Sequence, residues 1–434
     1  MNITFRHQRT TALFASSAAM LLLGACAVGD AASDTATTGV AATEAEDHDH
    51  DVSAATQQEA PTPRLVLTYD GGIVVIEADT LDTVADLSIE GFNRLNNAGD
   101  GRHVAVSTAG GWAVVDAGTW SEAHGDHSHY FTAEPELYGV VIEAETPGHV
   151  VVHDGLVSLF DDATGHVTVV EASEWADMAE HGHAHIVSEY DSEAAHHGVA
   201  VALADGGLVV TRGTSDGRTG AMLLDADGAE VAVSDACPGV HGETAFHTGR
   251  GDVVVTGCED GALVFADGQV HKIAAPDAFG RIGNAFSVND SSVVLGDYKT
   301  DPEGGIGLGQ ITLIDVDTES ILVVDPFLEA DAEYTWRGLA RGVDGEALVL
   351  GTDGVLRVLD PVTGEQLRAI DVVEPWEVPA EWQTAHPALT VLEGMAYVTE
   401  PATGTIHIVD YVGGEVWKSA AIGVTMNEVV GVTG

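Results

Sequence analysis

Positive charge is what this chain has least of. Lysine and arginine together number 16 in 434 residues, against 69 aspartates and glutamates, for a formal net charge of −53. Such a surface repels phosphate backbones and anionic lipid, which argues against nucleic acid or a lipid face as partner. It fits a well-solvated or salt-adapted protein, and it draws in cations. Cysteine is scarce as well, with only Cys26, Cys237 and Cys258. Beyond the first 25 residues no run is apolar for long enough to span a bilayer, and no long amphipathic helical pattern appears. The common catalytic signatures are missing: there is no G-x-S-x-G elbow, no H-E-x-x-H and no P-loop. GGIGLGQ, from Gly304, sits among strand-like runs with no helix after it and reads as a turn. Carboxylates flank His241 and His247, but at no spacing used by hydrolytic metal motifs. The expectation is a protein that is not an enzyme.

What is present begins with a processing signal. Arg6 and Arg9 precede a short apolar stretch from Thr11 to Leu23, which ends in Leu23-Gly24-Ala25-Cys26. This resembles a bacterial lipobox, in which the cysteine is acylated and becomes the new N-terminus; the alternative is an ordinary secretory signal cut nearby. Either places the mature protein in the periplasm or on the extracytoplasmic face of the envelope. The only membrane contact expected is a lipid anchor at Cys26. With Cys26 assigned to lipid, Cys237 and Cys258 remain, and in an oxidising compartment such a pair forms a disulfide. The rival is a zinc–thiolate site with His241, four residues after Cys237.

Three segments follow: residues 1–25 as signal peptide, 26–63 as a tether, and 64–434 as the folded domain. The tether is rich in Ala, Thr, Asp and Glu and contains EDHDHD with His48 and His50. That composition builds no core, and the two histidines are candidate accessory metal ligands. From Arg64 onward, short aliphatic and β-branched runs alternate with DG, GG and TG turns. ALTVLEG, MAYVTEPATG, TIHIVDYVGG and EVWKSAAI, from Ala388, make one four-strand unit. The plan recurs from Gly338 and from Thr244. Hairpin signals in units of about 40–50 residues mark an all-β chain, a β-propeller. Eight innermost strands can be counted, with seven blades as the alternative. Their starts are placed at Arg94, Tyr138-Gly139, His197-Gly198, His241-Gly242, Ile282-Gly283, Arg337-Gly338, His386-Pro387 and the final NEVVGVTG. That last strand is expected to complete the blade begun at Leu65, which closes the ring and removes exposed edges.

Histidine, 20 in all, is the conspicuous excess. His197, His241 and His386 share one register position in three blades. Two loops add more: HGDHSHYFTAEPELYG holds His124, His127 and His129, and HGHAHIVSEYDSEAAHHG holds His183, His185 and His196. The register places these loops around the same mouth, so the expectation is a metal site on one histidine-rich face. Neutral imidazole suits zinc, copper or nickel, and three or four imidazoles satisfy a tetrahedral zinc. Asp126 and Glu243 are expected as oxygen ligands or as partners that orient a ring. His7, His103, His166, His271 and His407 read as structural or surface residues.

CPGVHGETAF (Cys237 to Phe246), GCEDGALVF (Gly257 to Phe265), HHGVAVAL (His196 to Leu203) and HSHY (His127 to Tyr130) resemble the AztD-type periplasmic zinc metallochaperones, over most of the chain after the tether. The resemblance implies a β-propeller that binds zinc and hands it to the solute-binding protein of a zinc ABC transporter. It implies that His127, His129, His197 and His241 lie in the family's motifs. His386 and the second loop rest on position alone. Two other classes stay open at this point: a metal-dependent extracellular hydrolase, and a protein- or glycan-binding propeller whose histidines are incidental.

Overall fold

The computed structural model describes residues 55–434 apart from residue 329. The expected lipidation site Cys26, the signal peptide, and His48 and His50 lie outside the described residues. Among the described residues strand follows strand, interrupted by one short α-helix at Trp175–His181. Among the described residues the strands form eight four-stranded antiparallel sheets and one three-stranded sheet.

Burial explains how the sheets assemble. The two middle strands of a sheet are covered on both faces: Leu65, Val66 and Leu67 are fully buried, and so are Ile73, Val75 and Ile76. Outer strands alternate, as in Glu415–Ala421, where every second residue faces solvent. Sheets of this kind must stack face to face. They do, and each pair of successive sheets encloses its own apolar layer. Val66, Val75, Val104 and Val115 join the first sheet to the second. Trp112, Val114, Leu159 and Trp175 join the second to the third. The eighth sheet packs back on the first through Tyr397, Ile406, Leu65 and Val74, so the succession closes. This is a β-propeller. As expected, the C-terminal strand Val429–Val432 pairs with Arg64–Tyr69 and supplies the inner strand of the first sheet. Backbone pairing between the two chain ends therefore fastens the ring, and Glu428 adds to it by accepting from the Leu95 amide and from Arg94.

Two local expectations differ from the structure. The strand at Tyr138-Gly139 is not an inner strand: Glu136–Glu143 is the outer edge of the second sheet, whose inner edge is Arg94–Asn97. The inner strand of the third sheet is Pro147–His153. An apolar run followed by a turn looks the same at either edge of a sheet, and the register mark was displaced by one strand. Second, Thr56–Gln58, within the segment read as tether, is a strand paired with His127–Thr132. A polar segment needs no core to pair when a neighbouring hairpin offers a free edge.

Cys237 and Cys258 are joined in a disulfide with a Cα–Cα distance of 4.9 Å. Both are fully buried in the layer between the fourth and fifth sheets. The bridge ties the loop that enters the fifth sheet to that sheet's second strand. Both sulfurs are consumed, so the thiolate alternative at His241 does not form.

Candidate metal centre

Inner strands begin at one mouth of the ring and end at the other. Their beginnings surround a cavity of about 580 Å³ lined by Arg94, His149, His197, His241, Trp336 and Trp382, among others. The fourth sheet's inner strand is short, Ala200–Ala202, and past it the third sheet's Pro147–His153 touches the fifth sheet's His241–Thr248 directly. That contact brings His149 and His241 together. His197 joins them from the loop that enters the fourth sheet.

The three rings converge through one atom each. Nε2 of His149 lies 3.2 Å from Nε2 of His197 and 3.2 Å from Nε2 of His241, and the latter two are 3.0 Å apart. The opposite nitrogens are all taken. His241 Nδ1 donates to the Gly283 carbonyl at 2.6 Å, His149 Nδ1 to Glu243 at 2.8 Å, and His197 Nδ1 to Asp162 at 2.5 Å. A carbonyl or carboxylate oxygen can only accept, so each Nδ1 carries the proton and each Nε2 presents a lone pair. Three lone pairs facing one point repel unless a cation or a shared proton sits among them. A tetrahedral zinc with Zn–N of about 2.0–2.1 Å holds its nitrogens about 3.3 Å apart, close to the observed triangle.

The backbone around the rings is built for this approach. Both inner strands carry a β-bulge at the histidine, between Pro147 and Val150 and between His241 and Glu243. A bulge re-aims a side chain that strict alternation would turn away. Gly242 has φ +69°, and a Cβ there would lie 2.5 Å from the Gly283 carbonyl carbon, so only glycine lets His241 reach that carbonyl. Gly148 similarly makes room for Asp162. The peptides on both sides of Gly283 are fixed, the Gly283 and Asn284 N–H groups donating to Asp297 at 2.5 and 3.1 Å.

Electrostatics keeps the His241 ring neutral. Burial pushes His241 well below the usual histidine range, and His149 and His197 beside it push in the same direction. Burial alone would raise Glu243, but its charge interaction and hydrogen bond with His149 outweigh that and hold it below the usual carboxylate range. Glu243 is thus an anion that orients His149.

His197 and His241 are therefore brought together, with His149 as the third member that the sequence reading missed. The other candidates lie elsewhere. His124, His127 and His129 form their own cluster on the hairpin Thr119–His124 and His127–Thr132. His124 Nδ1 is 3.1 Å from His129 Nε2, and the rings lie 4.9–5.3 Å apart. That hairpin is inserted before the outer strand of the second sheet, at the end where inner strands finish. Asp126 stands 3.2 Å from His127 Nδ1. The histidine-rich second loop is split by the strand Ile186–Asp191, about 20 Å long at 3.3 Å per residue. His181, His183 and His185 stand exposed before it, and His196 and His197 come after it. His183 and His185 join no cluster. His196 is buried and bonded at both nitrogens, to the Ala194 carbonyl and Thr211 Oγ1. His386 is likewise bonded at both, to the Thr384 carbonyl and Thr335 Oγ1. Neither presents a free nitrogen, and the histidines as a set do not share one face. His103 is buried between Asp100 and Tyr138, a structural placement.

The fold and the cluster together define a β-propeller with a three-histidine candidate metal centre at one mouth of its ring. Among curated proteins the chain is similar to the zinc chaperone AztD of Citrobacter koseri, 25% identical over 359 residues that span 80% of each chain. The crystal structure of Citrobacter koseri AztD superposes with a TM-score of 0.72 at 21% identity, covering 86% of this chain and 98% of that one. A dihydro-heme d1 dehydrogenase, NirN, shares the fold more loosely, with a TM-score of 0.53 at 12% identity over 88% of this chain and 80% of its own. No protein-family model matches the chain.

Proposed function

We propose that the chain is an extracytoplasmic zinc metallochaperone that holds zinc on His149, His197 and His241 and passes it to the solute-binding protein of a zinc ABC transporter. The observation that carries the reading is the convergence of three Nε2 lone pairs within 3.0–3.2 Å of one another, each ring locked from behind. The similarity to a protein named as a zinc chaperone supports the choice of metal and of carriage over catalysis.

Zinc is the cargo. Three neutral imidazoles supply three of its four positions, and the fourth points toward the mouth cavity. A partner's ligand enters there, and the imidazoles then leave one at a time, so the ion never passes through free solution. Asp162, Glu243 and the Gly283 carbonyl keep each ring aimed while its neighbours exchange. The lipid anchor at Cys26 tethers the chain to the envelope, where the Cys237–Cys258 disulfide is at home in an oxidising compartment. His124, His127 and His129 form a second, exposed zinc-capturing cluster on the other end of the ring.

The test is transfer. Zinc-loaded protein is mixed with an apo zinc solute-binding protein in the presence of a chelator that intercepts free zinc. The expected result is that zinc reaches the partner faster than the chaperone alone loses it to the chelator. Transfer no faster than dissociation contradicts the reading.

A further inference from the structure

We propose that the opposite mouth of the ring carries a separate divalent transition-metal site made by His153, Asp154, His247 and Asp252. One ligand atom from each of the four lies within 4.8 Å of those of the others. The site stands at the far ends of the same two inner strands whose beginnings carry His149 and His241. His149 and His153 are four positions apart, about 13 Å of extended chain, so this is a distinct place and not an extension of the first centre.

Its residues come from two hairpins in different sheets. His153 ends the strand Pro147–His153, and Asp154 occupies the turn that follows, with φ +50°. His247 and Asp252 face each other as a cross-strand pair of the fifth sheet. His153 Nε2 is 3.3 Å from Asp252 Oδ1, and His247 Nδ1 is 2.8 Å from the same oxygen. His247 Nε2 meets Asp154 Oδ1, and the two imidazole rings lie 5.0 Å apart. His153 is buried, with 6% of its surface exposed, and the other three are partly exposed, which gives an ion a way in.

Donor chemistry defines the class of ion. Two imidazoles select a borderline transition metal over calcium or magnesium, and mixed nitrogen–carboxylate sets are ordinary for zinc. Two carboxylates also neutralise a dication outright, which the three-histidine centre does not. Arg250, three residues along from His247, is paired with Asp317 and so does not compete for them. Asp290 adds a further negative charge. His247 lies between the two aspartates, hydrogen-bonded to Asp154 through Nε2 and ion-paired with Asp252 through Nδ1. Metal entry displaces a proton from the ring nitrogen through which His247 binds.

The experiment counts zinc equivalents on the full chain by equilibrium dialysis against buffered zinc, with thermal melts to confirm folding. Asp252→Asn and Asp154→Asn, both at partly exposed positions, should each lower the total by one equivalent. His153→Gln should do the same if this buried position tolerates it. His149→Ala should leave that equivalent in place, which separates this site from the one on which the proposed function rests. Folded Asp252→Asn and Asp154→Asn chains that both keep the full wild-type count would overturn the proposal and leave the cluster an ion-pair network only.

Discussion

At the scale of single residues, the account depends on how three rings are held. Glu243 and Asp162 do not need to touch zinc to matter, because each fixes the proton and the plane of a ligand ring. Glu243→Gln and Asp162→Asn should each weaken zinc by roughly 10–100-fold without altering the melt of the zinc-free protein; unchanged competition against a chelator would show that the rings are positioned by packing alone. His386 makes the opposite prediction. Burial first, and then the Arg337 charge, push it down to about 4. Between about pH 6.5 and 4 the unfolded chain takes up a proton that the folded chain refuses, so stability falls as the pH drops through that window, by about 3 kcal/mol when complete. Denaturant melts of zinc-free protein at pH 7.5 and 4.5 should show that loss, and His386→Asn should lose roughly 2 kcal/mol less between the two. Zinc stoichiometry in that variant should be unchanged. Histidine type and number were legible in the sequence, and so were His197 and His241. His149 was not: it stands in the inner strand Pro147–His153, whereas the inner-strand mark falls at Tyr138-Gly139, one strand too early.

Among the elements, hairpin signals and period-two alternation gave the strands away because each unit repeats the same plan. Which end of the ring a loop occupies depends on counting strands without error, and the sequence does not mark outer edges. That is why His181, His183 and His185 were grouped with His196 and His197, although the strand Ile186–Asp191 keeps them at opposite ends. The disulfide was legible from the cysteine count and the expected oxidising compartment. It closes a loop with a sequence separation of 21, and Cys237→Ser with Cys258→Ser should cost roughly 3 kcal/mol on the chain-entropy model. Zinc binding should weaken as well, because the bridge steadies the turn leading into His241. A melt unchanged by the double substitution would contradict the first part, and unchanged zinc affinity the second.

For the whole molecule, a strongly acidic surface and a closed ring serve one purpose. The charge raises the local concentration of cations. The ring gives a rigid frame on which three histidines from distant parts of the sequence meet at one point. A carrier needs that rigidity on one side and access on the other, and the cavity beside the cluster provides the access. The central claim is that the tightest zinc site is the triangle of His149, His197 and His241. Chelator-competition titration of zinc at neutral pH, comparing wild type with His149→Ala, tests it most directly. The account predicts that the tightest equivalent weakens by more than about 100-fold, beyond what loss of an outer partner produces, while the protein stays folded. A folded His149→Ala chain that binds its first zinc as tightly as wild type would contradict it.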